Sequence, residues 1–281
     1  MTTNPLVSVI MPVLNEQRYI SQAIESILNQ TYKNIELIII DDYSTDKSLE
    51  IARSYQQKDD RVVIFSKTNE IQRAGISRNI GVRLAKGDFI AFQDADDTSE
   101  LDRIFKQLNK ALEKPGKILV GCFPKMITDN SSYILTLPTI NEDIQKGFKV
   151  IRGRGRYFVM GTSLGPKHFF LNNPCKEILR YLEDWDQLLR ISENEDFEMS
   201  NIPEALYTYN LKEELTIYKK GWIESNLFVR FSQRMRKRKY SDPTKIDELN
   251  RYLYLNPIEL FLYLLFKFIY ILKLWASKVL S

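Results

Sequence analysis

The sequence predicts an α/β protein whose mostly parallel sheet is flanked by helices. Three observations point there. Apolar runs of strand length recur at residues 7–11, 35–40, 62–65 and 89–93. Segments with apolar residues at helical spacing lie between them, joined by short links. The runs end in polar loops, and right-handed crossovers gather those loops on one edge of the sheet, where ligands of such folds bind.

The elements follow in order. Residues 7–11 (VSVIM) form a buried strand ended by Pro12. Residues 18–29 place Tyr19, Ile20, Ala23, Ile24, Ile27 and Leu28 on one helical face. The second strand, 35–40, stops at Asp41-Asp42-Tyr43-Ser44-Thr45-Asp46, a run of cap and turn residues before a helix over 46–57. Residues 62–65 make a third strand. A helix over 76–85 ends in Lys86-Gly87, a basic last turn followed by a glycine stop. The fourth strand, 89–93, runs into Asp94, Asp96 and Asp97. Later elements are less regular. A strand at 118–123, an extended stretch at 158–164, a helix at 181–191 and strands at 197–202 and 205–209 complete the globular part.

The acidic run organises the chain. Carboxylates crowded at a strand end repel each other, and become favourable around a hard divalent cation that prefers oxygen ligands and completes its shell with water and phosphate. Alternation along an extended segment points Asp94 and Asp96 the same way, with Ala95 opposite. Asp97, three residues before Glu100 and just ahead of an apolar helical pattern, reads as a helix cap. A metal–diphosphate site is the expectation.

Composition sets bounds. With 281 residues the chain can bury a sizeable core, and a net charge of +4 gives no argument for nucleic acid. Cys122 and Cys175 have no metal or redox spacing and read as free thiols in a reducing compartment. His168 is the single histidine, which removes histidine-rich zinc sites and fits a structural role in Lys167-His168-Phe169-Phe170. There is no secretory pattern at the N-terminus. Neither G-x-G-x-x-G nor G-x-x-x-x-G-K-[ST] occurs.

The motifs together resemble glycosyltransferase family 2, with its GT-A fold. They are Val7 with Ser8-Val9-Ile10-Met11-Pro12-Val13-Leu14-Asn15-Glu16, the Ser26-Ile27-Leu28-Asn29-Gln30-Thr31 segment, and Ile40-Asp41-Asp42 with Ser44-Thr45-Asp46. Ser77-Arg78-Asn79-Ile80-Gly81, Ala85-Lys86-Gly87-Asp88, Asp94-Ala95-Asp96-Asp97 and Glu183-Asp184-Trp185-Asp186 complete the set. The resemblance covers residues 7–211. It implies a donor site formed by Pro12, Val13, Asn15, Glu16, Asp42, Arg73, Asp94, Ala95 and Asp96. Asp42 would meet a uracil-type base, Arg73 would lie beside the nucleotide, Asp94 would touch ribose or sugar, and Asp96 would hold Mg²⁺ or Mn²⁺, with Asp94 close to the ion. Asp184 would be the catalytic base of an inverting transfer from a nucleotide-sugar, a UDP-sugar above others. Glu183 and Asp186 serve as favourable charge at a helix N-terminus.

Two departures stand out. The histidine-containing segment common in relatives is absent from Tyr207-Thr208-Tyr209-Asn210-Leu211, and Gln233-Arg234-Met235-Arg236-Lys237 lacks the tryptophan of processive synthases. A non-processive enzyme adding one sugar is therefore expected. A sugar-nucleotide pyrophosphorylase would need a glycine-rich loop after the first strand, and residues 12–16 have no glycine. A non-catalytic binding module of the same fold has no need of both Asp96 and Asp184.

The expected organisation is a glycosyltransferase domain over 1–215, with a nucleotide-binding half to about 123 and an acceptor half from 124. A helical extension follows over 216–281. Residues 234–239 (RMRKRK) are cationic, and 257–280 are strongly apolar. Glu259, Lys267, Lys273, Ser277 and Lys278 fall within an arc of about 140° at helical spacing. That pattern suits an in-plane amphipathic helix on an anionic membrane surface, or one packed on the domain or on a second subunit of a homo-oligomer. The expected setting is the cytoplasmic face of the inner membrane, with a saccharide or lipid-linked saccharide as acceptor.

Overall fold

The computed structural model describes residues 4–68, 71–128, 130–144, 158–179, 181–194 and 196–211, with Val229 and Gln233. Residues 234–281, which carry the expected amphipathic tail, lie outside the described residues. The chain divides into two compact units, Met1–Cys175 with Gln187–Glu213, and Lys176–Asp186 with Glu214–Ser281.

In the first unit, β1 (Val7–Val13), β2 (Ile35–Asp41), β3 (Val62–Ser66) and β4 (Phe89–Phe92) pair in parallel in the order β3-β2-β1-β4. Pro12 does not end β1. It sits within the strand opposite Ile40, and the strand continues to Val13. Helices α1 (Ile20–Leu28), α2 (Ser48–Gln56) and α3 (Ala74–Leu84) are the crossovers. Alternation along β1 assigns the two faces. Val7, Val9, Met11 and Val13 share one core with Ile20, Ala23, Ile24 and Ile27 of α1. Ile10 faces the other way, toward α3, where a β-carbon added to Gly81 would come within 2.4 Å of its side chain. Only glycine lets helix and strand approach so closely.

Past β4 the sheet is mixed rather than mostly parallel, because its later strands come from reversals instead of helical crossovers. β5 (Thr98–Ser99) is a two-residue strand, followed by α4 (Arg103–Leu112), β6 (Ile118–Ile127) and β7 (Ser132–Ile134). A short 3₁₀ turn (Met160–Thr162), β8 (Leu164–Pro166), α5 (Lys167–Asn172), α6 (Glu183–Ser192) and β9 (Glu198–Asn210) complete the described elements. β8 is antiparallel to both β4 and β6, β9 is parallel to β6, and β5 pairs antiparallel with β9. The stretch 158–164, expected to be extended throughout, contains the 3₁₀ turn instead. The two strands expected at 197–202 and 205–209 are one continuous β9, with register shifts opposite Cys122–Pro124 that absorb Pro203. Phe170 of α5 packs edge-on against Phe92 at 5.0 Å, and His168 packs against Phe169 and Phe197.

Asp97 does not cap α4. That helix starts at Arg103, six residues after Asp97, with Asp102 at its N-cap position and no side-chain cap bond. The residues between are used by β5, which draws Asp97 into the interior.

Both cysteines are free thiols and buried. Burial pushes the Cys122 thiol up to about 11. The folded state therefore holds this proton more tightly than the unfolded chain. Its effect on stability is level below the ordinary thiol range and turns unfavourable as pH climbs through that range toward 11. Native protein should leave both thiols unlabelled by an aromatic disulfide reagent at pH 8 and release two equivalents after denaturation. Fast native labelling would contradict this packing.

Candidate donor-binding site

The C-terminal ends of β1, β2 and β4 lie side by side, with Val13 in register with Asp41 and Ile10 with Phe92. The ends of these strands and the loops that leave them hold every donor-site residue expected from the sequence except Arg73, which lies beyond β3. Pro12 is half-buried and Val13 buried. Asn15 adopts a φ of 57° and ties the first loop to the second: its N–H donates to Ser44 Oγ (3.1 Å), and its Oδ1 accepts the Thr45 N–H (2.8 Å). The Glu16 N–H donates to Ser48 Oγ (2.7 Å). Asn15 and Glu16 therefore shape the loop through these bonds, whatever else they contact. Arg73 is half-buried immediately before α3, and its carbonyl accepts the Ser77 N–H.

Asp42 is buried. Its N–H donates to the carbonyl of Val13 (2.8 Å), and its carboxylate pairs with the ammonium of Lys67. Lys67 received no role from the sequence. It follows directly on β3, and nothing in its neighbourhood distinguishes it from a surface lysine until the fold is known.

At the acidic run the burial alternates as expected. Asp94 and Asp96 are half-buried and Ala95 is buried. The backbone, however, is a turn, with the Asp97 N–H reaching the Asp94 carbonyl at 3.2 Å. Asp94 is paired with Arg78 of α3 at 3.1 Å. Arg78 lies in the Ser77-Arg78-Asn79 motif, so the signal was present although no role was attached to it. The Asp94 N–H donates to the Tyr207 hydroxyl (3.1 Å). Asn210 donates its side-chain amide to the Asp96 carbonyl and its N–H to Asp97 Oδ1 (2.8 Å). Tyr207 and Asn210 thus occupy the segment where the expected histidine is missing, and they hold the acidic turn through its backbone.

Asp97 is 1% exposed, and its Oδ2 has no hydrogen-bond partner among the described residues. Burial first, then the charges of Asp94 and Asp96, push its carboxyl up to about 8. A group of three or more metal-ligand side chains does not occur among the described residues. The donor chemistry still fits one small divalent ion, because two half-buried carboxylates on one turn are the usual protein share of an oxygen-ligated site completed by phosphate and water.

Beneath the turn lies Arg103, fully buried. Its five N–H groups all donate to neutral oxygens. Nε reaches Gln107 Oε1 (3.0 Å), Nη1 reaches Gln93 Oε1 (3.0 Å) and Ser99 Oγ (2.8 Å), and Nη2 reaches the carbonyls of Phe92 (2.8 Å) and Gly161 (3.1 Å). Its guanidinium also stands 5.0 Å from the Tyr207 ring centroid. Such complete pairing is what makes a buried guanidinium tolerable. Gly161 completes the wall, since a β-carbon there would sit 2.8 Å from both Asp94 Oδ2 and Tyr207 Oη.

Asp184 lies in the second unit, on the first turn of α6, half-buried, with Oδ1 accepting the Trp185 N–H (2.7 Å). Asp186 is more than the favourable helix-end charge expected of it. Its side chain is fully buried, 3.6 Å from Lys176.

Comparison with known proteins agrees with this architecture. The description "Glycosyl transferase family 2" matches residues 8–179. The chain belongs to glycosyltransferase family 2. Among relatives in Bacillus subtilis, the putative glycosyltransferase EpsE is 37% identical over 214 residues, covering 74% of this chain and 73% of EpsE. The uncharacterized glycosyltransferase EpsJ is 30% identical over 229 residues, covering 77% and 62%. In fold, the chain resembles S. aureus TarS 1-349, solved in complex with UDP, with a TM-score of 0.61 at 19% identity over 82% of this chain and 65% of that one. It also resembles the mannosyltransferase PcManGT from Pyrobaculum calidifontis, solved with GDP-Man and Mn²⁺, with a TM-score of 0.60 at 17% identity over 94% and 74%. The chain spans less than two thirds of the length of two of these proteins, EpsJ and TarS 1-349.

The crowding at Gly161 generates a prediction. Gly161→Ala should push the Asp94 carboxylate or the Tyr207 hydroxyl aside and destabilise the protein by about 1–3 kcal/mol, read as a lowered melting temperature. Unchanged melting would refute the close approach.

Proposed function

We propose that this family 2 protein is an inverting, metal-dependent glycosyltransferase that moves one sugar from a UDP-sugar to a saccharide acceptor. The observation that carries the reading is the single sheet edge on which Asp42 and the clamped Asp94–Asp96 turn stand together; Asp42 would serve there as the base reader and the turn as a phosphate-side carboxylate pair. EpsE and EpsJ are relatives named as glycosyltransferases, and a further relative is a poly(ribitol-phosphate) beta-glucosyltransferase of Bacillus spizizenii, 34% identical over 117 residues, or 41% of this chain and 18% of that one. These support a place in cell-surface polysaccharide synthesis.

Each residue has a part. Asp42 accepts a hydrogen bond from the base. Asp96, with Asp94 close by, would hold Mg²⁺ or Mn²⁺, and when bound such an ion offsets the charge that grows on a departing diphosphate. Arg78 and Tyr207 keep Asp94 oriented. Asp184 takes the proton of the acceptor hydroxyl as that oxygen attacks the anomeric carbon from the face opposite the leaving group. One displacement inverts the anomeric configuration.

Asp184→Asn should lower transfer by about 10²–10⁴-fold while calorimetric UDP affinity stays within about twofold, the pattern of an interaction used only in the transition state. Asp96→Asn should instead lose the increase in melting temperature that UDP with Mn²⁺ gives the parent. An Asp184→Asn variant as active as the parent would exclude the base assignment.

The tail completes the proposal. Residues 234–280 place the enzyme on the cytoplasmic face of the membrane, where a lipid-linked acceptor is presented. Among the described residues no helix is long and apolar enough to cross a membrane. Full-length chain should float with anionic vesicles, and a chain lacking residues 257–281 should not. Equal flotation of both would refute the surface helix.

A further inference from the structure

The pair between Lys67 and Asp42 has a cost that its surroundings do not explain. Both side chains are 3% exposed. Removing two charges from water is expensive, and well-packed apolar residues usually serve stability as well. The pair nevertheless sits at the ligand-binding end of the sheet, where β2 leads into its loop.

Its geometry is tightly determined. The Lys67 N–H donates to the Asp41 carbonyl (3.0 Å), which ties the end of β3 to the end of β2. The Lys67 ammonium donates both to Asp42 Oδ1 and to the Ile71 carbonyl, so the charge is tethered from two sides. The Asp42 N–H is fixed to Val13. These contacts engage Oδ1 and fix the Asp42 backbone. Oδ2 makes no hydrogen bond among the described residues, yet unlike Asp97 Oδ2 it is not sealed from solvent.

We propose that Lys67 is the positioning residue for base selection: by holding Asp42 Oδ1, it aims Oδ2 as a fixed acceptor that takes a ring N–H. This rests on the reading of Asp42 as the base contact. Uracil and guanine present an N–H at the matching ring position. Cytosine and adenine present a lone pair there, so two acceptors would face each other across a desolvated gap. Sites that hydrogen-bond a ligand group reject analogues lacking it far more strongly than apolar pockets reject a missing methylene. Without the ammonium the carboxylate can turn, and selection weakens even though Asp42 is still present.

The test is calorimetric titration of the full chain with UDP, GDP and CDP in the presence of Mn²⁺, with inorganic pyrophosphate as a base-free probe. The parent should prefer UDP to CDP by about 100-fold or more. Lys67→Met should bring that ratio below about tenfold and leave pyrophosphate affinity unchanged. Lys67→Arg, which restores the cation, should recover most of the parent ratio. Lys67→Met leaves a buried carboxylate unpaired and can fail to fold, so the neutral double variant Lys67→Met with Asp42→Asn is measured beside it and should fold and bind UDP without preference. A parent-like UDP:CDP ratio in either Lys67 variant that lacks the cation overturns the proposal. Loss of UDP:CDP selection in Asp42→Asn but not in Lys67→Met sinks the role of Lys67 alone. Parent affinity and parent selection in Asp42→Asn would instead remove Asp42 as the base contact, a separable failure.

Discussion

Negative charge concentrated at the end of β4 is the constraint around which the rest of the first unit is arranged. Asp94, Asp96 and Asp97 occupy a single turn, and without a bound cation their mutual repulsion must be contained by the protein. Three devices contain it. Arg78 pairs directly with Asp94. Asp97 withdraws into the interior, where burial and its neighbours' charge favour its protonated form. Arg103 lies below, its charge spread over neutral oxygens, gripping the last residues of β4 and the Gly161 carbonyl at once. Arg78 takes one carboxylate oxygen of the turn, on Asp94, and the Asn210 N–H takes another, on Asp97.

The part of the fold from β1 to β4 was legible because each of its strands is an apolar run bounded by polar loops, a pattern that local sequence sets by itself. Observed helix and strand limits there differ from the expected ones by about two residues, the usual uncertainty of element ends. Later elements were harder to read. The Phe158–Leu164 stretch alternates well enough to look extended, but Gly161 has to pass close to Asp94 and Tyr207, and that tertiary demand bends it into a 3₁₀ turn. Asp97 and Glu100 have the spacing of a capping box, yet β5 forms from the residues between them because β9 offers it a partner. That partner lies over a hundred residues away, and no local pattern reports it.

The site shows the same division. Candidates such as Asp42, Asp94 and Asp96 were named from the sequence. The residues that support them were not. Lys67 and Arg103 are unremarkable in sequence, and only burial reveals that each is a cation kept inside the protein for its hydrogen bonds. Tyr207 and Asn210 were flagged only as the place where an expected histidine is missing. They hold the acidic turn through the Asp94 and Asp96 backbone as well as through Asp97 Oδ1, and the backbone contacts are a use that side-chain chemistry does not announce.

The clasp on the acidic turn also sets an order of events during synthesis. Tyr207 and Asn210 stand 113 residues or more beyond the groups they hold. As the chain leaves the ribosome, β1 to β4 can pair long before β9 exists, since N-terminal portions fold first. Until β9 arrives, the carboxylate turn is without two of its backbone anchors. A nascent or prematurely terminated chain could therefore have β1 to β4 paired and still lack a finished acidic turn, which couples the shape of that turn to completion of the last strand.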